Sequence, residues 1–194
     1  MAFTKEDFAR ALEFGDMEGL RAGVEAGWGA GAIFPEAGGT ALMMACHSGW
    51  DEGVKALLPI SEIDAVDNRK SSALMWAAFS GRLGVLKILL NAGASVEGRD
   101  EDGNSALALA ATCAQFEAMD QESEDLADGY MAQVRGCVQE LLPRLDIDER
   151  NLDGETPRSI IAESCDERLM AMVEEWEISL KTRPGSRAAN IPRL

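Results

Sequence analysis

Apolar positions along the chain fall in short stripes of helical period, and the stripes come in pairs. TALMMACHSG, from Thr40, is followed by WDEGVKALL; SALMWAAFSG, from Ser72, is followed by RLGVLKILLNAGA. SALALAATCA, from Ser105, is followed after an interruption by AQVRGCVQELLPRL, and a fourth opening, TPRSIIA, stands at Thr156. In each second stripe the apolar residues recur at i, i+3 or i+4 and i+7, and a Leu-Leu pair closes the run, as expected for one buried face of an α-helix. The first stripes carry adjacent small residues, Ala45–Cys46, Ala77–Ala78 and Ala110–Ala111, which let neighbouring helices approach closely. Gly49 and Gly81 follow first stripes, where a left-handed C-cap favours glycine.

The openings repeat at intervals of 32, 33 and 51 residues, the last being one period plus 18. A polar turn precedes each of the last three: Asp67-Asn68-Arg69-Lys70, Asp100-Glu101-Asp102-Gly103 and Asn151-Leu152-Asp153-Gly154. Asp, Asn and Gly suit tight turns, and the Ser or Thr that follows caps a helix through its hydroxyl. Thr4-Lys5-Glu6-Asp7 predicts a further capped helix with Phe8, Ala11 and Leu12 on its buried face; Gly15 separates it from a second helix over 17–26.

This pattern resembles the ankyrin repeat: a turn with Asp and Gly, then Thr-Pro-Leu-His-x-Ala-Ala, then Gly, then a helix ending Leu-Leu-x-x-Gly-Ala. Residues 68–100 match it best; Thr-Pro survives only at Thr156-Pro157, and Met43, Met75, Ala108 and Ser159 stand at the pattern's His. The resemblance implies an all-α fold, an ankyrin-repeat solenoid of stacked helix-turn-helix units with short turn fingers. Five units are expected over residues 1–180, with an insertion at about 113–130 and a basic, disordered tail at 181–194.

Charge adds a second layer. The net charge is −16, and because Lys181, Arg183, Arg187 and Arg193 sit in the tail, residues 1–180 carry −20. Such a body repels nucleic-acid phosphates and attracts a basic protein surface; the alternative is that the charge serves solubility. No apolar run reaches the roughly 18 residues of a membrane span, and the first residues do not form a signal peptide, so a cytoplasmic location is expected. The cysteines, 46, 113, 137 and 165, have no CxxC spacing, and the single histidine, His47, leaves no zinc set. No metal or cofactor is expected, and the chain lacks a Gly-rich phosphate loop, HExxH, GxSxG and the acidic spacing of a calcium loop.

The resemblance implies a concave face built from turn tips and inner-helix positions. The tips are Glu36, Ala37 and Gly39; Asn68, Arg69 and Ser71; Glu101, Asp102 and Asn104; and Leu152, Asp153 and Glu155. The inner-helix positions are His47, Ser48, Phe79, Ser80, Thr112 and Cys113, and Trp50 and Arg82 follow the inter-helix glycines. Trp50 and Phe79 are either exposed contact residues or local packing, Arg82 is a candidate charged contact, and Trp76 is assigned to the core. Between Asp100 and Val134 lie nine acids and no Lys or Arg. The insertion acids Glu117, Asp120, Glu122, Glu124, Asp125 and Asp128 are either an arm for a basic partner or a solvated helical extension.

The function expected is a non-enzymatic protein-binding module, a stoichiometric inhibitor of a basic partner of the immunity, antitoxin or anti-defence type. One alternative is an adaptor or secreted effector that tethers two proteins. Another is a hydrolase using Cys46 and His47, although helix neighbours point about 100° apart.

Overall fold

A computed structural model describes residues 4–29, 31–34, 38–119, 124–164 and 166–182, with the backbone alone at 32–34, 116–119 and 124–128. Ten α-helices among these residues form five antiparallel-type pairs: α1 (Lys5–Phe14) with α2 (Met17–Glu25), α3 (Ala41–Ser48) with α4 (Asp51–Leu57), α5 (Ala73–Phe79) with α6 (Leu83–Asn91), α7 (Ala106–Met119) with α8 (Glu124–Leu141), and α9 (Pro157–Glu163) with α10 (Glu167–Thr182). The first helices stack on one another, α1 on α3, α3 on α5, α5 on α7 and α7 on α9, while α4, α6 and α8 stack alongside. The all-α repeat architecture expected from the period is therefore the observed one.

Each start is set by local chemistry. Thr4, Thr40, Ser72 and Thr156 accept the N–H of the residue three positions on, and Ser105 does the same for Ala108 at 3.3 Å. At Thr156 the box is reciprocal, since its own N–H donates to Ser159 Oγ at 2.9 Å; at Thr40 the partner is the softer Met43 Sδ, at 3.4 Å. Gly15 and Gly49 end α1 and α3 in the left-handed region, at φ 72° and 76°. The second unit departs from pattern where Pro59 tightens the end of α4 into a 3-10 turn, Leu58–Ile60.

The core runs the length of the stack. Ala45, Cys46, Ala77, Ala78, Ala110 and Ala111 are fully enclosed between first helices, and Leu57, Leu89, Leu141 and Leu142 fill the layer behind them. Ion pairs also bridge neighbouring units, Lys87 with Glu140, Arg99 with Glu149 and Arg135 with Asp166.

The insertion takes the form of longer helices. α7 has 14 residues against seven in α5, and α8 has 18 against nine in α6, about two extra turns on each. The side chains of Glu117, Asp120, Glu122, Glu124, Asp125 and Asp128 lie outside the described residues. α10 runs on through Lys181 and Thr182, which the sequence places in the tail; residues 183–194 lie outside the description. No helix among the described residues is long and apolar enough to cross a membrane.

Candidate binding groove

The fingers are built by one repeated device. Asp67 Oδ1 accepts the N–H groups of Arg69 and Ser71 at 2.9 and 2.8 Å. Asp100 Oδ1 accepts those of Asp102 and Asn104 at 3.0 and 2.7 Å, and Asn151 Oδ1 those of Asp153 and Glu155 at 3.1 and 2.8 Å. The acceptor side chain thus replaces backbone partners inside the turn. The fourth residue of each turn is left-handed: Gly103 at φ 81°, Gly154 at φ 83° and, with a side chain, Lys70 at φ 61°. Lys70 costs roughly 1 kcal/mol there that glycine avoids. Adjacent fingers are zipped by Glu101 N–H to Arg69 O at 2.8 Å and Leu152 N–H to Asp102 O at 2.9 Å. The preceding finger is a short antiparallel pair, β1 (Ala32–Phe34) with β2 (Gly39–Thr40); tip residues Glu36 and Ala37 lie outside the described residues.

Between these fingers and the inner helices runs a groove of about 460 Å³. Trp76 and Phe79 of α5 form one side, Leu109 and Thr112 of α7 the other, and Asp67, Asp100 and Asp102 the finger wall. Phe79 is 44% exposed, an apolar ring open to solvent at the position the repeat register assigns to contact. Trp76 is half-buried rather than core: its Nε1–H donates to Asp67 Oδ2 at 3.0 Å and its ring meets His47 edge-on at 5.5 Å. The sequence holds the clue, because Trp76 and Phe79 are three residues apart on one helix and so share a face.

His47 is exposed at the groove's end, with Nδ1 and Ser80 Oγ 2.6 Å apart and its carbonyl accepting from Arg82 Nε at 3.1 Å. Partial desolvation, and then the Arg82 charge, lower its pKa, while Glu13 opposes them. The neutral imidazole is therefore favoured in the folded chain. Its contribution to stability is present above the unfolded value near 6.5 and is lost as pH falls through the lower folded value. With one histidine in the chain, a proton NMR titration reads this directly: His47 titrates below 6.5, and Arg82→Gln moves it part of the way back, because desolvation is the larger cause.

Two inner-helix positions differ from expectation. Ser80 and Cys113 are buried, at 7% and 5% exposed: the His47 ring covers the Ser80 hydroxyl, and Cys113 Sγ lies 3.6 Å from the Tyr130 hydroxyl. Trp50 and Arg82 are half-buried, and each covers the inter-helix glycine of the unit before: a Cβ on Gly15 would stand 3.5 Å from the Trp50 indole nitrogen, and one on Gly49 would stand 2.7 Å from Arg82 Cδ. Trp50 also packs against Gly53, and the Arg82 guanidinium is 5.8 Å from the Tyr130 ring centre. These two residues brace the stack at the end away from the fingers. At the tips, Asn68, Arg69 and Glu101 are exposed and Asp102 is half-exposed. Arg69 is engaged within the fingers, donating to Glu101 at 2.6 Å and Asp102 at 3.1 Å.

The arrangement does not support a Cys46–His47 pair. Cys46 is fully buried, burial pushes its thiol far above the ordinary value, and the His47 ring is bonded to Ser80. No group of three or more His, Cys, Asp or Glu side chains among the described residues is placed to hold a metal ion.

A family model described as ankyrin repeats in three copies matches the chain over residues 10–100 and again over 42–121. No curated protein matches the sequence at a significant level.

Proposed function

The chain belongs to the ankyrin-repeat family, a family of protein–protein interaction modules, and from that premise we propose that it is a stoichiometric inhibitor that seats a basic protein partner in the finger-lined groove. The observation that supports this reading is the pairing of open aromatic surface with acid: Phe79 and Trp76 lie against a wall of Asp67, Asp100 and Asp102. Beyond Asp100 and Asp102, the sequence up to Val134 carries seven further acids and no Lys or Arg. An acidic face steers a basic partner into encounter, and a central aromatic supplies the buried contact that holds it.

The test uses the immobilised full chain beside a Phe79→Ala control, with extract from the native source and elution in salt steps. Wild type is expected to retain a basic protein that Phe79→Ala binds at least about tenfold more weakly. That protein should leave at about 0.5 M salt, where the Debye length shrinks to about 4 Å. One equivalent of the chain should then abolish the partner's own activity. Salt-insensitive retention overturns the electrostatic reading, and full partner activity at one equivalent overturns inhibition.

A further inference from the structure

The Trp76 ring is held by its Nε1–H bond to Asp67 and by the His47 ring standing at 86° to it, so its orientation is fixed before any partner arrives. Asp67 and Asp100 beside it are 8% and 9% exposed. Each already accepts three hydrogen bonds, Asp67 from Arg69, Ser71 and Trp76, and Asp100 from Asp102 and from both nitrogens of Asn104. A carboxylate offers about four lone-pair positions, so these bonds leave acceptor capacity in both. Arg69, which also lines the groove, has its guanidinium tied to Glu101 and Asp102; Lys70 is exposed on the same turn.

A protein that covers this groove removes the remaining water from two carboxylates. Unless it brings a cation, the burial is strongly unfavourable. Of the two cationic side chains, arginine fits the surfaces better: its planar, weakly hydrated guanidinium stacks on an indole and donates along its edge to carboxylates, whereas lysine is a compact, strongly hydrated point charge. We propose that this corner of the groove is a subsite for one arginine side chain of the protein partner. The guanidinium lies on Trp76 with its edge toward Asp67 and Asp100, and the methylene stem lies along Phe79 and Leu109. The inference rests on the protein-binding reading above and specifies its chemistry.

The test follows the Trp76 indole N–H by NMR in the full nitrogen-15-labelled chain, with Trp76→Phe to assign it. Three capped pentapeptides differ only at the centre of four glycines: arginine, its neutral isostere citrulline, and lysine. The arginine peptide is expected to shift the resonance saturably and to bind about tenfold more tightly than citrulline and several-fold more tightly than lysine. Asp100→Asn should weaken the arginine peptide about fivefold and leave citrulline unchanged. Asparagine already performs the same turn role at 151, so this variant keeps its finger.

Equal response to arginine and citrulline, tighter binding of lysine, or no shift with millimolar peptide each overturns the proposal. Truncation after Thr182 should leave the titration unchanged. If truncation alone moves Trp76, an arginine of the chain's own last residues fills the subsite, and the assignment to a partner fails. A groove-dependent partner recovered from extract while the peptides fail removes only this inference. Saturable arginine binding with no groove-dependent partner removes the inhibitor reading instead.

Discussion

Replacing Gly81 with alanine is expected to destabilise the protein by about 2–4 kcal/mol, the sum of a backbone and a packing effect. Gly81 follows α5 at φ 61°, where an L side chain costs roughly 1 kcal/mol. The added Cβ would stand 2.6 Å from Val134 Cγ2 and 3.1 Å from Tyr130 Oη. Val134 is fully buried and β-branched, so it has no free rotamer into which to retreat. The strain falls between α5 and α8, at the seam joining the third helix pair to the fourth. Gly93→Ala separates the two effects: Gly93 has φ 89° and nothing within 4 Å of an added Cβ, so it carries the backbone cost without the clash. Urea unfolding of both variants checks the difference, and equal losses would mean that the α5–α8 seam yields freely. Gly49 makes an intermediate case, because the atom met there belongs to the flexible Arg82 side chain.

The same seam shows where sequence reasoning stops. Helix starts at Thr40, Ser72, Ser105 and Thr156 are legible because capping is local, decided within four residues. The paired small residues are legible because close helix packing admits few alternatives, and Ala45, Ala77 and Ala110 are all enclosed. Trp50 and Arg82 look like free contacts in sequence because what they cover lies one unit back, at Gly15 and Gly49. Trp76 reads as core in sequence because it stands where the repeat normally buries a residue, yet a bond to Asp67 nine residues earlier holds it at the groove. Ser80 and Cys113 go the other way: the His47 ring closes over the Ser80 hydroxyl at 2.6 Å, and Cys113 Sγ lies 3.6 Å from the Tyr130 hydroxyl, which also donates to the Ser80 carbonyl at 2.9 Å. That tyrosine stands at the end of the insertion, a segment for which the repeat pattern offers no register.

Arg135→Ala is expected to cost about 2–3 kcal/mol and to loosen the last helix pair before the rest of the stack. Arg135 on α8 donates to Asp166 Oδ2 at 3.0 Å, with the two side chains 16% and 9% exposed. The other Asp166 oxygen accepts the N–H groups of Arg168 and Leu169 at the start of α10. One carboxylate therefore ties the fifth pair to the fourth and also opens its second helix. Removing the arginine leaves that carboxylate enclosed with only the helix end to compensate it, so the loss lies toward the lower side of what a fully buried pair suffers. In a stack whose units touch only their neighbours, such a loss stays at the end: amides of α9 and α10 exchange faster while those of α5 and α6 keep their protection. Combining Arg135→Met with Asp166→Asn should recover most of the stability, since asparagine also caps a helix and methionine fills the space of the arginine stem. Hydrogen exchange on the two variants decides the matter. Uniform loss of protection in Arg135→Ala would show one cooperative unit, and no rescue in the pair would place the cost in packing rather than in the stranded charge.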